Sequence, residues 1–297
     1  MTGATPVGVV GLGLIGTALS KRLIAAGIDV IGYDIDPARR EGLTALGGKG
    51  IETLPELYRL ADRILVSVFN TDQVEEVIEG EDGLLQVANE TGANRKIVFV
   101  VSTCDPDRVA ALAERLAGTP VSLIESPVSG TSVQVANGDG VGLVAGDKAD
   151  IDASGDVFSA IVKKVHYMGA VGNGGRTKLA INLILGLNRT ALGEGLVFAE
   201  AIGLPLPAFL AAARDSAAYS QIMDVKGDMM ITGNFTPQGR VAVSAKDAHM
   251  MLAAAHAAGQ DLPLGRTYID LLDSTIAAGE GDLDNSAVML EVRRRKV

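Results

Sequence analysis

VGVVGLGLIG, residues 7–16, is a short apolar run that ends in three glycines with the spacing Gly-x-Gly-x-x-Gly. Its first four residues have the β-branched composition of a buried strand, and the residues that follow have the apolar periodicity of a helix. In such a segment Gly11 permits a tight turn, Gly13 lets a ligand approach the backbone, and Gly16 allows close packing of the helix on the strand. The segment therefore predicts a strand–turn–helix unit with free N–H groups at the helix start.

A second apolar run, Val30–Tyr33, ends in Asp34, which lies 18 residues beyond Gly16. At this distance a carboxylate can accept hydrogen bonds from the adenosine ribose of a dinucleotide, while the helix start binds the pyrophosphate. The alternative is that the three glycines only mark an ordinary turn, which would need neither the flanking strand and helix nor Asp34. Asp34 favours NAD over NADP because a carboxylate repels a 2′-phosphate, although Arg39 and Arg40 follow closely enough to reach one. The residues predicted to bind NAD here are Gly11, Leu12, Gly13, Leu14, Ile15, Gly16 and Asp34.

Up to Met168, apolar runs alternate with amphipathic segments of helix length. The runs are Val7–Val10, Val30–Tyr33, Ile64–Val68, Ile97–Val101, Val121–Ile124, Gly142–Ala145 and Val165–Met168. The amphipathic segments include Ile15–Ala26, Pro37–Leu46 and Pro106–Ala117. This alternation predicts a parallel sheet with helices on both faces, and so an α/β Rossmann-type N-terminal domain over residues 1–168.

Residues 169–297 have a different pattern, which predicts an all-α C-terminal domain. A glycine-rich link leads into one long helix over about 174–202, whose apolar circumference requires burial in a core or a subunit interface. Further helices are predicted at Pro207–Ala218, Gln221–Met230, Ala245–Ala258 and Leu264–Ala278. The basic tail, Arg293–Lys296, is expected to be a frayed and solvated end.

Composition excludes several classes of protein. Among 297 residues, 26 Lys and Arg stand against 36 Asp and Glu, and this net charge of −10 argues against nucleic acid or an anionic membrane as partner. The single cysteine, Cys104, excludes an intrachain disulfide, and three scattered histidines make a metal site unexpected. The N-terminus has no basic region before its apolar run, and no uncharged apolar stretch reaches membrane-spanning length. These features predict a soluble cytoplasmic protein without a metal.

Four further motifs stand in order behind the glycine turn. They are Ser102-Thr103, Ser126-Pro-Val-Ser129-Gly130, Gly172-Asn-Gly174-Gly-Arg-Thr-Lys178 with Asn182, and Asn234-Phe235 followed by Lys246-Asp247. With these motifs the chain resembles, over essentially its whole length, the β-hydroxyacid dehydrogenases. This is the family of 3-hydroxyisobutyrate dehydrogenase and tartronate semialdehyde reductase, within the 6-phosphogluconate dehydrogenase superfamily.

The resemblance implies hydride transfer between a small β-hydroxy carboxylate and a nicotinamide, by a homodimer or homotetramer. Lys178 would be the general acid/base and Asn182, one helical turn further on, would orient the hydroxyl or the lysine. A free lysine has a pKa of about 10.4, so burial and a positively charged oxidised nicotinamide are needed to favour the uncharged amine. The resemblance also implies substrate binding by Ser129, Gly130, Thr131 and Arg240, and cofactor binding by Phe69, Ser102, Thr103 and Lys246.

The chain departs from the family pattern at several positions. Thr131 replaces a second glycine, Ile181 replaces the first of two asparagines, and Arg240 introduces a charge that could meet a second anionic group on the substrate. Phe69-Asn70 and Val101 are further departures. Two alternatives stay open: a semialdehyde or imine reductase on the same fold, and a non-catalytic NAD sensor, which would need neither Lys178 nor Ser129.

Overall fold

The computed structural model describes residues 5–91 and 95–296 and divides into two compact units, Met1–Lys178 and Leu179–Val297. The first unit contains a six-stranded sheet in which every neighbouring pair is parallel. Its strands lie in the order β3-β2-β1-β4-β5-β6. Their bounds are β1 Val7–Val10, β2 Val30–Tyr33, β3 Lys49–Gly50, β4 Arg63–Val66, β5 Lys96–Val100 and β6 Val121–Glu125. The predicted α/β Rossmann-type sheet is thus confirmed.

Helices cover both faces of this sheet. Successive residues of one strand enter opposite cores: Ile64 and Val66 belong to one apolar cluster, whereas Leu65 belongs to the other. This period of two is why each strand is apolar throughout. The helices of the first unit are α1 Leu14–Ala25, α2 Pro37–Ala45, α3 Leu54–Leu60, α4 Thr71–Glu79, α5 Leu84–Thr91, α6 Pro106–Arg115, α7 Ser132–Ala136, α8 Lys148–Ala153 and α9 Gly155–Ile161.

The last two predicted strands do not join the large sheet. With a two-residue strand that the sequence did not indicate, they form a separate sheet in the order β7-β8-β9. These strands are β7 Val128–Ser129, β8 Val141–Val144 and β9 Lys164–Tyr167. Strand β7 is antiparallel to β8, and β8 is parallel to β9. An apolar run marks a strand but does not specify which sheet it joins, because that choice depends on the connections.

The long helix, α10, extends over Asn173–Ala201 and continues from the first unit into the second. The remaining elements are α11 Leu206–Arg214, α12 Gln221–Thr232, α13 Val241–Ala257, α14 Pro263–Ala277, a 3-10 turn at Asn285–Ala287, and α15 Val288–Arg294. Two apolar clusters hold this unit, one around Leu272 and Val288 and one around Leu196 and Leu210. The predicted helical C-terminal region is confirmed.

The basic tail is exposed at Arg294, Arg295 and Lys296, as expected, but its first residues continue a helix, so the expectation of a frayed end is wrong there. Arg293 and Arg294 belong to α15, and Arg294 donates to the carboxylates of both Glu280 and Glu291. Arg295 bonds to Glu291 and Asp270. The acidic partners lie on α14, in the loop after it and on α15, so the arginines match a local acidic surface that the tail's own sequence does not reveal.

Candidate active site

The three glycines of the turn after β1 have different structural roles. Gly11 has φ +88°, and a Cβ there would lie 2.3 Å from the carbonyl oxygen of Ser67. A Cβ on Gly16 would lie 1.9 Å from the carbonyl oxygen of Gly11. A Cβ on Gly13 would meet only the Arg39 guanidinium within 4 Å, at 3.9 Å. The fold itself therefore requires Gly11 and Gly16, whereas Gly13 leaves space for a ligand beside the backbone.

Helix α1 starts next to this space without a cap of its own. Its N-cap is Gly13, which makes no side-chain cap hydrogen bond, and its first turn contains no acidic residue. The N–H groups at a helix start carry a partial positive charge and bind anions well. Open backbone at Gly13 and an uncapped helix start together fit the pyrophosphate of a dinucleotide.

Asp34 is a buried carboxylate at the end of β2 and is tied to the glycine turn. Its Oδ2 accepts a hydrogen bond of 2.7 Å from the Leu12 backbone N–H, and the Arg39 guanidinium lies 3.3 Å away. The Arg40 side chain donates to the Asp34 backbone carbonyl at 2.6 Å. Both arginines that the sequence offered for a 2′-phosphate therefore contact Asp34, and Arg39 keeps 45% of its side chain exposed.

The other proposed cofactor residues lie at the ends of neighbouring strands. The Ser102 hydroxyl, after β5, donates to the Val68 carbonyl oxygen, after β4, at 2.7 Å. Phe69 follows and is half-exposed, and its N–H donates to Gln73 on α4 at 2.8 Å. The carboxyl ends of parallel strands are where open α/β sheets bind their ligands, so the fold brings Phe69, Ser102 and Thr103 to this edge.

Lys178, near the start of α10, is only 8% exposed, whereas lysine side chains usually lie at the protein surface. Its Nζ donates a hydrogen bond of 2.8 Å to the carbonyl oxygen of Val128 on β7. Val128 precedes Ser129, so the structure brings the predicted acid/base together with the predicted substrate loop. A lysine on the protein surface, the ordinary alternative for such a residue, is excluded.

The substrate loop makes a sharp change of direction after β7. Gly130 has φ +147°, and Thr131 is the N-cap of α7. The Thr131 hydroxyl accepts from the Gln134 N–H while the Gln134 side chain accepts from the Thr131 N–H. Thr131 therefore has a structural reason to differ from glycine, since it completes a capping box.

Glu125, the last residue of β6, is a functional candidate that the sequence reasoning missed. It is 3% exposed, and its carboxylate accepts hydrogen bonds from the N–H groups of Gly172, Gly174 and Gly175, at 2.5, 3.1 and 3.1 Å. Burial raises the pKa of Glu125 above its ordinary value, and these three hydrogen bonds and the charge of Arg176 oppose that rise without cancelling it. A glutamate that closes an apolar strand was the available signal.

In the second unit, Asp247 connects two predicted site residues and was also missed as a site residue. The Asn182 amide donates to its Oδ2 at 3.0 Å, and the Lys246 ammonium lies 3.0 Å from its Oδ1. Asp247 is 6% exposed. Arg240, by contrast, is half-exposed at the start of α13 and forms an ion pair with Asp282 at 3.3 Å.

Two features of the described ranges 5–91 and 95–296 concern metal binding and membrane insertion. No group of three or more His, Cys, Asp or Glu side chains is arranged to hold a metal ion there, and Cys104 is buried. Within the same ranges, none of the helices combines the length and apolar character needed to cross a bilayer.

Two family models cover almost the whole chain. Residues 6–169 match the NAD binding domain of 6-phosphogluconate dehydrogenase, and residues 172–292 match a domain described as NAD-binding of NADP-dependent 3-hydroxyisobutyrate dehydrogenase. The chain belongs to the β-hydroxyacid dehydrogenase family. This confirms the resemblance. The first unit is therefore an NAD(P)-binding domain.

Individual relatives of this β-hydroxyacid dehydrogenase match it end to end. It is 30% identical over 283 residues to 2-hydroxy-3-oxopropionate reductase of Escherichia coli, covering 95% of each chain. It is 29% identical to L-threonate dehydrogenase of E. coli, covering 95% of this chain and 93% of that one. The solved 3-hydroxyisobutyrate dehydrogenase of Salmonella typhimurium matches with a TM-score of 0.88 at 26% identity, covering 97% of this chain and 99% of that one.

Proposed function

We propose that the chain is an NAD-dependent oxidoreductase that transfers hydride between a small β-hydroxy carboxylate and the nicotinamide, with Lys178 as general acid/base. The observation that carries the proposal is the buried Lys178 amine, bonded to Val128 beside Ser129. The names of the relatives, a 3-oxo acid reductase and a hydroxy acid dehydrogenase, support the substrate class.

The bound nicotinamide supplies the hydride acceptor for oxidation and the hydride donor for reduction. Lys178 takes the proton from the substrate hydroxyl in the oxidative direction and returns it in the reductive direction. The carbonyl oxygen of Val128, which accepts a hydrogen bond from the Lys178 amine at 2.8 Å, fixes the direction of the amine. The Ser129 hydroxyl and the backbone at Gly130 bind the substrate carboxylate, and Asn182, held by Asp247, orients the hydroxyl.

The preference for NAD is supported by Asp34. Its buried carboxylate lies at the end of β2, where it would accept hydrogen bonds from ribose hydroxyls and repel a 2′-phosphate. NADP is the alternative, because Arg39 is partly exposed and one family model is described by an NADP-dependent enzyme. Turnover measured with both cofactors decides between them.

We also propose that residues 1–168 are the cofactor domain, that residues 169–297 are the substrate and oligomerisation domain, and that the enzyme is a cytoplasmic homodimer or homotetramer. Exposed apolar side chains on α10 support an oligomer: Ile184 is 61% exposed and Phe198 is 64% exposed. Such a patch on a helix is typical of a surface covered by another subunit. The single buried cysteine suits a reducing compartment.

Lys178→Ala tests the catalytic assignment. We expect intact NAD binding with a rate lower by about 10²- to 10⁴-fold, the usual loss for a general acid/base. The substrate panel is 3-hydroxyisobutyrate, glycerate, 3-hydroxypropionate, threonate and serine. Lys96→Ala is the matched control, because Lys96 is also buried in the first unit and its amine also bonds a backbone carbonyl, that of Ala61. Equal turnover by Lys178→Ala and the parent enzyme would refute Lys178 as the acid/base. No turnover by the parent enzyme on any substrate of the panel, with NAD binding intact, would favour the NAD sensor.

A further inference from the structure

The glycine-rich segment before Lys178 surrounds a carboxylate of the chain itself. Gly172, Gly174 and Gly175 direct their N–H groups at Glu125, and the bonds cross 47 to 50 residues of sequence. Concave groups of successive N–H donors of this kind bind anions. Here the group that these N–H donors bind is the carboxylate of Glu125, the last residue of β6.

Close approach of Glu125 explains why these positions are glycine. A Cβ on Gly175 would lie 2.9 Å from Glu125 Oε1, and a Cβ on Gly174 would lie 3.1 Å from Glu125 Cβ and 2.8 Å from the carbonyl oxygen of Leu143. Gly172 has φ +98°, a backbone conformation that residues with a side chain rarely adopt. The segment is therefore shaped around the carboxylate, which also satisfies N–H groups at the start of α10.

Glu125 and Lys178 are the opposite ends of one hydrogen-bonded frame. Glu125 and Val128 are three residues apart on one segment, and Gly175 and Lys178 are three residues apart on the other. The Gly175 N–H bonds Glu125 at one end, and the Lys178 amine bonds the Val128 carbonyl at the other, at 3.1 and 2.8 Å. Displacing Glu125 from the glycines would move the first turn of α10 and the lysine with it.

We infer that Glu125 is a positioning residue for Lys178: its carboxylate fixes the start of α10 so that the amine stays on the carbonyl of Val128. This inference rests on the proposed function for its effect on rate. A displacement of about 1 Å in a catalytic group can lower a rate about 10²-fold. Glu125 itself needs no contact with substrate or cofactor.

A double-mutant cycle tests the coupling. We expect Glu125→Gln to lower kcat by about 10- to 100-fold, because an amide keeps one acceptor oxygen and turns N–H donors toward the glycines. In the Lys178→Ala background the same change should alter kcat by less than about threefold, since the group it positions is gone. Glu125→Asp, which keeps the carboxylate, should recover part of kcat, and the dissociation constant for NAD should not change.

Asp150→Asn is the matched control for loss of a buried carboxylate. Asp150 lies in the same unit, is 5% exposed and bonds Arg95 and Ser122. We expect it to leave kcat within about twofold of the parent, as a change distant from the site should. Equal losses of kcat from Glu125→Gln with and without Lys178 would overturn the inference, because a general structural defect acts in both backgrounds.

A second measurement does not depend on activity. The rate at which trinitrobenzenesulfonate labels Lys178 is followed by peptide mass spectrometry, with Lys96 as the internal reference in the same digest. We expect Glu125→Gln to label severalfold faster at Lys178 and unchanged at Lys96, since a released amine becomes accessible. Unchanged labelling at Lys178 in a folded Glu125→Gln protein overturns the positioning role. Full activity of Lys178→Ala would instead refute the proposed function, and the labelling result would still decide the role of Glu125.

Discussion

The Leu12 backbone N–H donates a hydrogen bond of 2.7 Å to the buried carboxylate of Asp34, which links the glycine turn after β1 to the end of β2. One carboxylate therefore fixes the turn, and under the proposed function its remaining acceptor capacity would bind a ribose. Because Arg39 also contacts Asp34, removing the carboxylate both loosens the turn and frees a guanidinium.

We predict that Asp34→Ser lowers kcat/KM for NAD by about 10-fold or more and raises the ratio of NADP to NAD efficiency, because a charge-assisted hydrogen bond contributes about 1.5–3 kcal/mol. Steady-state kinetics with both cofactors measure this. Asp36→Ser is the control for the loss of a carboxylate beside Arg39, since Asp36 is half-exposed, caps α2 and lies 3.5 Å from the Arg39 guanidinium. A parent enzyme that prefers NADP would contradict the cofactor assignment.

Glu125 predicts a pH dependence of stability with a definite sign. Burial raises its pKa in the folded state, against which the hydrogen bonds from Gly172, Gly174 and Gly175 and the charge of Arg176 act. The unfolded chain loses the proton first as pH rises, so the stability contributed by this group is full below the unfolded pKa and is lost as pH rises through the folded pKa.

The stability of the parent relative to Glu125→Gln should therefore increase on acidification from about pH 8 to pH 5, by at most about 1.4 kcal/mol per pH unit. Urea unfolding at several pH values measures the difference. Glu125→Gln is the reference because glutamine does not titrate. Relative stability that instead decreases on acidification would mean that the three hydrogen bonds outweigh burial.

Local patterns predicted five of the six strands of the Rossmann-type sheet because their cause is local, but they missed the two-residue β3, Lys49–Gly50. Val7–Val10 and Val30–Tyr33 are β-branched runs that end at a glycine turn or a carboxylate, and they form strands with these bounds. The role that the family resemblance implies for Lys178 required burial, and the side chain is buried. The two-residue strand β7 has too few residues to show a period, so no pattern could indicate it.

The remaining site residues, Glu125 and Asp247, were missed because their contacts join segments that are distant in sequence. Glu125 meets its glycines across 47 to 50 residues, and Asp247 meets Asn182 across 65 residues. The sequence motifs marked the glycines and Asn182 but left their partners unspecified. A glutamate after a strand and a Lys-Asp pair on a helix are ordinary features until the fold supplies what they bind.

Asp247 is predicted to support catalysis through Asn182 and Lys246. Asp247→Asn removes the charge that both residues contact, so we expect kcat/KM to fall by about 10- to 100-fold. Asp273→Asn is the control, because Asp273 is exposed and lies 3.0 Å from the exposed His249 ring. Unchanged kinetics in Asp247→Asn would remove Asp247 from the site.

A buried ion pair in the second unit predicts a large effect on stability. Lys226 and Asp284 are 1% and 0% exposed and lie 2.8 Å apart. Burial opposes ionisation of Asp284, but the Lys226 ammonium and the hydrogen bonds from Ser286 and Gln238 outweigh it and hold the pKa of Asp284 below its usual range.

Asp284→Asn should therefore lower the free energy of unfolding by about 3–5 kcal/mol, because it leaves a buried ammonium without its counter-charge. The neighbouring Asp282→Asn should change it by less than about 0.5 kcal/mol, since Asp282 is 91% exposed. Urea unfolding measures both. The depressed pKa gives stability that is present above the unfolded pKa and lost as pH falls through the folded pKa, a loss that Asp284→Asn lacks. Similar unfolding curves for the two variants would contradict this account of the pair.

The exposed apolar side chains of α10 predict how the enzyme assembles. Ile184 and Phe198 are 14 residues apart, close to four helical turns, so they lie along nearly one face of the helix. A charge on that face should weaken packing between subunits, and we expect Phe198→Asp to sediment as a monomer, or as a mixture enriched in monomer, at micromolar concentration. Glu200→Lys is the control for a change of charge on the same helix, because Glu200 is exposed and lies two residues from Phe198, about 200° around the helix axis. Analytical ultracentrifugation measures the masses, and a parent enzyme that is itself monomeric at these concentrations would contradict the proposed oligomer.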